Sequence, residues 1–326
     1  MLKRRNPEKV ETERIDFEDR IFSATYPLEC ERIKESIARI GLIQPLIVRQ
    51  LEKTGKYQVV CGLRRALACR ELGFEKIEAM VYPEAELSDQ GGFLLGLFEN
   101  LGHRDYNDIE RSMVLSKLHN QFGLDQSLII GEYLPLLGLE AGEAIFHQYL
   151  PVIELEEEIK EYVVQRDLPV RVPSRLLTLS PEDRQASFRL ISRLNLGVNR
   201  IMEFLNFLEE TSQRDGVPIK GLLGDREIEA VLDDEGIARP RKVELIRYIL
   251  RKKRYPQLTG IEAQVEEGLK QMHLPPELKI SPPPYFEGDE LKVEFQFRDP
   301  KKLKKVAERL LELSKSPEIK EILKII

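Results

Sequence analysis

Tryptophan is absent from this 326-residue chain, and cysteine, histidine and methionine are scarce, at three, four and five. Cys30, Cys61 and Cys69 are odd in number and match no zinc-module spacing, which argues against a disulfide framework and a structural zinc. They read instead as reduced, small apolar residues of a cytosolic protein. His103, His119, His147 and His273 are scattered and suggest no metal site. No run of 18 apolar residues occurs, and none follows the opening stretch Met1 to Pro7. Neither a membrane-spanning helix nor a standard secretory signal is therefore expected. The expected location is the cytoplasm, with nucleoid association if the protein binds DNA.

Charged residues make up 33% of the chain, with a formal net charge of -6, and apolar residues 42%. The length suits two or three domains with real cores. An acidic overall balance does not favour nucleic acid, although local basic patches can bind it.

The most telling stretch runs Tyr57-Gln58-Val59-Val60-Cys61-Gly62-Leu63-Arg64-Arg65-Ala66-Leu67-Ala68. An apolar strand meets a glycine, and a helix with two arginines in its first turn follows. A helix start has unpaired N–H groups and partial positive charge, so it attracts anions. Gly62 permits close backbone approach, and Arg64 and Arg65 supply forked donors suited to phosphate. The reading is a phosphate site at a strand-to-helix turn; arginines merely exposed to solvent remain the alternative.

Two more segments frame that turn. Upstream is Glu35-Ser36-Ile37 with Gly41-Leu42-Ile43-Gln44-Pro45-Leu46-Ile47-Val48-Arg49; downstream is Phe98-Glu99-Asn100-Leu101-Gly102-His103-Arg104-Asp105-Tyr106-Asn107-Asp108-Ile109-Glu110. The first resembles the "ESI…GLIQPLIVR" segment of the ParB partition-protein family. The Gly62 turn is similar to its "GERRxRAA" box, and the third segment to its "ENLQREDLNPIE" box. The resemblance implies CTP binding with slow hydrolysis, that is, weak CTPase activity. By position, Gln44, Gly62, Arg64, Arg65 and Asn100 would contact the nucleotide. Glu99 would be the catalytic residue, and Glu99 with Asn100 would sit beside Mg²⁺. The chain departs from the pattern at Leu63, where the family has glutamate, and at Gly102, His103 and Arg104, which replace Gln, Arg and Glu.

The fold class expected is α+β, in four parts. Residues 1–104 read as a small mixed α/β, ParB-like nucleotide-binding domain. Its opening 28 residues are irregular with one strand at most. A helix then carries Ile33, Ile37 and Ile40 to Gly41, and strands follow at 46–51, 57–61 and 77–82. A helix over 87–101 is weakened by Gly91, Gly92 and Gly96, and the Gly91-Gly92 pair suggests a hinge. Residues 105–212 read as all-helical with a helix-turn-helix. Its first helix, 107–122, is capped by Asp105 or Asn107 and buries Ile109, Met113, Leu115, Leu118 and Phe122. Residues 213–257 read as a linker carrying a basic helix. Residues 258–326 read as a small α/β module with a rigid Ser281–Pro284 spacer and a half-buried strand over 291–297. In outline this tail is similar to the family's dimerisation module, which implies a homodimer.

The candidate recognition helix, 141–150, offers His147 and Gln148 but no arginine or lysine. Residues 107–155 hold seven acidic against two basic residues, which repels DNA phosphates. Basic charge lies instead in 166–200 and, more densely, in 239–254, where eight basic residues face one acidic. Arg251, Lys252, Lys253 and Arg254 are therefore candidate phosphate contacts, with a solvated face or an intramolecular acidic partner as the alternative. The expectation is a CTP-responsive, DNA-binding clamp involved in DNA segregation. Its rival is a CTP-dependent adaptor that binds a partner protein and has lost specific DNA reading. A nuclease or kinase-like enzyme ranks behind both, since no carboxylate cluster for two metals is visible.

Overall fold

The computed structural model describes residues 5–283, 288 and 290–325. Its contacts divide the chain into two units, 1–184 and 185–326.

The first unit opens on a five-stranded sheet: β1 (Glu8–Glu11), β2 (Ile15–Asp16), β3 (Leu46–Gln50), β4 (Tyr57–Cys61) and β5 (Lys76–Pro83), in the order β1-β5-β3-β4-β2. The opening segment thus supplies two edge strands where the sequence suggested one at most. β1 runs antiparallel to β5, and β3 antiparallel to β4; β3 is parallel to β5, and β2 to β4. Alternation along β4 divides its side chains between two cores. Val59 packs with Leu46, Val48 and Ala66, whereas Val60 packs with Phe22, Phe93 and Leu97.

Helix α1 (Glu31–Ile40) and helix α2 (Leu63–Glu71) pack against each other. α1 buries Ile37, but Ile40 is 63% exposed, so its apolar stripe ends a turn earlier than the spacing suggests. Helix α3 (Asp89–Leu101) lies along β4 as one continuous helix. A Cβ on Gly96 would stand 2.7 Å from the Val60 carbonyl oxygen, and one on Gly92 would stand 2.5 Å from the Phe22 ring. These two glycines therefore serve close packing of helix on sheet. The helix is unbroken, and at Gly92 and Gly96 the missing side chains are what let it approach.

Asn107 caps helix α4 (Asp108–Ser116) in a reciprocal box. The Asn107 Oδ1 accepts from the Glu110 N–H at 2.9 Å, and the Glu110 carboxylate accepts from the Asn107 N–H at 3.1 Å. The helix continues as a π-turn over Lys117–Gln121. Ile109, Val114, Leu115 and Leu118 are fully buried, while Met113 and Phe122 are only partly so. Short helices α5 (Gln126–Leu128) and α6 (Leu134–Leu136) flank a second π-turn, Ile129–Tyr133. Helical structure therefore runs past Tyr133. Pro135 is tolerated there because it sits in the first turn of α6. Helices α7 (Glu143–Tyr149), α8 (Glu157–Gln165) and α9 (Arg171–Leu177) follow, and the unit boundary falls within α10 (Pro181–Leu194).

In the second unit, helix α11 (Val198–Asp215) is followed by α12 (Ile219–Leu223), α13 (Arg226–Asp233) and α14 (Arg239–Arg254). α14 packs on α11 and α13, burying Ile246, Ile249 and Leu250. A smaller cluster joins α15 (Pro256–Gln271), β6 (Leu278–Ser281), α16 (Pro300–Leu313) and α17 (Pro317–Ile325) through Val265, Leu278, Ile280, Val306 and Ile322. Ser281 belongs to β6 rather than to a spacer, and Pro284 lies outside the described residues. Strand β7 (Lys292–Phe295) pairs antiparallel with β6. It is exposed throughout rather than half-buried, because the apolar cluster covers Leu278 and Ile280 of β6 but not Val293 and Phe295 opposite them.

Candidate functional site

β4 delivers the chain to Gly62, whose φ of +93° is left-handed backbone. A Cβ there would meet both Leu46 Cδ2 and Arg65 Nη2 at 2.9 Å, so conformation and space each demand glycine. α2 starts at the next residue. Gly62, Arg64, Arg65, Asn100 and Arg104 line one cavity of about 170 Å³, closed on another side by Ser23, Ala24 and Thr25. Four sequence-predicted residues thus share one hollow: Gly62, Arg64, Arg65 and Asn100.

Gln44 and Glu99 stand beside that cavity rather than among its lining, and Arg65 ties them to it. Arg65 Nη1 donates to the Gln44 and Pro45 carbonyls at 2.9 and 3.2 Å, and its Nη2 lies 3.7 Å from Glu99 Oε1. Glu99 Oε1 accepts from Gln44 Nε2 at 3.0 Å, and its Oε2 accepts from the Cys61 thiol at 2.7 Å. Burial first, and then the Glu99 carboxylate, push the Cys61 thiol up to about 12, so it remains a protonated donor. Asn100 Nδ2 donates to the Gly96 carbonyl at 2.7 Å, which leaves its Oδ1 outside that bond.

Arg64 Nη2 donates to the Pro27 carbonyl at 2.7 Å, yet its Nε is buried with no hydrogen-bond partner among the described residues. Arg104 Nη2 is buried and unpartnered in the same way. Burial, and then the positive charge of Arg104, lower the Arg64 pKa, and both guanidinium groups line the same hollow. A buried donor left unpaired costs about 1–3 kcal/mol, and more when charged. The sequence reading missed Arg104 as a site residue. The available clue was its charge, opposite to that of the residue it replaces in the similar box. It also missed the Cys61 thiol as a ligand of Glu99.

Among the described residues no three His, Cys, Asp or Glu side chains gather as a metal site. Glu99 already accepts at both oxygens. A divalent ion here would need phosphate oxygens to complete its shell, with Glu99 and the Asn100 Oδ1 as the nearby protein donors.

His147 and Gln148 lie on α7 in the first unit. The Gln148 carbonyl accepts from Ser174 Oγ, and the His147 ring sits edge-on to Phe146. On α14, Arg251 makes a two-bond pair with Glu262 at 2.6 and 2.9 Å. Lys253 pairs with Asp225 at 2.5 Å, and Arg254 pairs with Glu210. Lys252 is exposed. Three of the four candidate phosphate contacts therefore close on carboxylates of their own unit.

Residues 13–101 match the ParB N-terminal domain family. The nucleoid occlusion protein of Bacillus licheniformis is 29% identical over 158 residues, 48% of this chain and 53% of that protein. The probable chromosome-partitioning protein ParB of Vibrio cholerae is 24% identical over 221 residues, 68% of this chain and 71% of that protein. The chain thus spans about half the length of the nucleoid occlusion protein it matches. Two structures of C-terminally truncated ParB from Caulobacter crescentus are also similar. The one complexed with CTP-gamma-S is 22% identical at a TM-score of 0.27, covering 54% of this chain and 93% of that one. The one complexed to the centromeric parS site is 20% identical at 0.35, covering 60% and 96%. Over residues 13–101 the chain thus matches the ParB N-terminal domain family, and it is similar to ParB-type partition and nucleoid occlusion proteins.

Proposed function

We propose that the cavity behind Gly62 holds the phosphate end of CTP, and that the nucleotide arrives with Mg²⁺. The carrying observation is that two arginines, Arg64 and Arg104, line one hollow at a helix start, and that each keeps one buried guanidinium N–H donor, on Nε and Nη2, without a partner. An anion with several acceptor oxygens suits both guanidinium groups and the first N–H groups of α2. The cavity is smaller than the roughly 300–1,000 Å³ typical of whole-ligand pockets, which suits phosphates with sugar and base outside. Magnesium supplies charge neutralisation between phosphate oxygens when bound. Glu99 accepts one side-chain hydrogen bond at each oxygen, from Gln44 and from Cys61, and keeps a lone pair on each for that ion. The choice of cytidine rests on the relatives. Calorimetric titration of the full chain with CTP, ATP, GTP and UTP tests it. CTP should bind best, and Arg65→Ala should weaken binding at least tenfold. No preference for CTP together with no loss in Arg65→Ala would end the reading.

The larger role that fits is a nucleotide-responsive, DNA-associated partition protein, dimeric through its C-terminal module, in which CTP favours closure of two N-terminal domains. The exposed Val293, Phe295 and Phe297 support self-association of that module. A second reading, a CTP-dependent adaptor for a partner protein, is favoured by the ion pairs that occupy α14 and by the acidic 107–155 stretch. CTP-dependent crosslinking of paired N-terminal domains, run with and without DNA, separates the two. Crosslinking that DNA stimulates supports the clamp; CTP-driven crosslinking indifferent to DNA supports the adaptor.

A further inference from the structure

We infer that Arg104 is a third phosphate ligand of this cavity, held ready by Glu110. The inference rests on the reading that the hollow takes phosphate, and it adds a residue that the similar family box does not supply, since that box has glutamate here.

Arg104 sits just past the end of α3, on the cavity wall. Its Nη1 donates to Glu110 Oε2 at 2.6 Å, and its guanidinium lies over the Tyr106 ring, 4.6 Å from the centroid. Those two contacts fix the plane of the fork and leave Nη2 as the orphan. Glu110 is itself rigid. Only 1% of it is exposed; its Oε1 accepts from the Tyr26 N–H at 2.9 Å, and its Oε2 closes the cap of α4. The side chain that orients Arg104 is therefore part of a helix start. A guanidinium with one edge on a buried carboxylate and another edge unsatisfied is preorganised for an anion. Arg64, which lines the same cavity and carries the second unpartnered donor on Nε, makes a shared acceptor the simplest occupant. Glu110 acts through Arg104 and is a positioning residue.

The test measures binding of Mg²⁺-CTP and of inorganic tripolyphosphate to the full chain and to Arg104→Gln, Glu110→Gln and the double variant. Losing one charge-assisted phosphate contact should weaken tripolyphosphate binding about tenfold or more in Arg104→Gln. Glu110→Gln should weaken it by less, and the double variant should bind no worse than Arg104→Gln alone, since Glu110 then has nothing to position. If Arg104→Gln is unstable because Glu110 is left unpaired, the double variant, which removes that charge, carries the comparison. Binding of tripolyphosphate that depends on Arg104, with no binding of CTP, upholds this inference and ends the nucleotide reading. Wild-type CTP binding unchanged within twofold in both Arg104 variants overturns the inference and spares the nucleotide reading. Failure of the wild type to bind either ligand overturns both.

Discussion

Cys61 shows how one side chain sets the state of another. A thiol is a weak donor, yet Cys61, itself buried, gives its proton's bond to Glu99. Replacing Cys61 with Ala removes that bond and leaves Glu99 more of its negative charge for a cation, so Mg²⁺-dependent CTP binding should hold or tighten; Cys61→Ser should behave as wild type. Titration at several Mg²⁺ concentrations reads this, and a tenfold loss in Cys61→Ala would contradict it. The same burial makes the thiols inert. Cys30, Cys61 and Cys69 are all buried, and each has its pKa raised, with burial the largest cause. Native protein at pH 8 should resist iodoacetamide at all three, and urea-unfolded protein should label at all three, as followed by mass spectrometry.

Elements in the first unit are joined by side chains that leave little trace in a periodic pattern. Lys117 opens the π-turn after α4, and its amine donates to the Arg20 and Ile21 carbonyls at 2.6 and 3.1 Å. Burial lowers its pKa to about 8, against which the charge of Asp19 acts weakly. The sign follows from proton counts: between about pH 8 and the ordinary lysine value of about 10.4, the unfolded chain binds the proton that the folded one has shed. Stability contributed by this group is thus complete above about pH 10.4 and lost as pH falls through about 8. A neutral amine still has two N–H groups for two carbonyls. Urea unfolding at pH 7.5 and 9.5 should show wild type gaining on Lys117→Met at the higher pH; a constant difference would refute it.

The strand run of β4, the helical spacing of α1 as far as Ile37, and Asn107 as one of two candidate caps were legible because they depend on neighbours in sequence. The roles of Gly92 and Gly96 were not, because what they avoid, Phe22 and the Val60 carbonyl, comes from distant segments. The same holds at the site. Gly62 with its two arginines announces an anion locally, but Arg104 becomes meaningful only once α3 carries it to the turn after β4. Gly96→Ala should cost about 1–3 kcal/mol, because backbone cannot move aside as a side chain can. Gly131→Ala, with open space around it in a helical turn, should stabilise by about 0.4–1 kcal/mol. Chemical denaturation of both variants measures the contrast, and equal effects would dismiss the close-packing account.

Across the whole molecule the question is whether charge density predicts binding. α14 is the most basic helix in the sequence, yet Arg247, Arg251, Lys253 and Arg254 each meet a carboxylate: Glu203, Glu262, Asp225 and Glu210. Cations already paired release few counterions when DNA approaches, and counterion release supplies most non-specific affinity. These residues should therefore act first as ties within their unit. Arg251→Ala should lower stability by about 0.5–1 kcal/mol, as half-buried ion pairs do, while leaving DNA affinity within twofold. Lys252 is the contrast, exposed on the same helix. If α14 touches phosphate at all, Lys252→Ala should reduce the slope of log affinity against log salt by about one, and Glu262→Gln, which releases Arg251, should steepen it. Filter binding to a random duplex from low to high salt decides. A large loss in Arg251→Ala with its fold intact would mean that the Glu262 pair opens on DNA and that the helix is a phosphate-binding face after all.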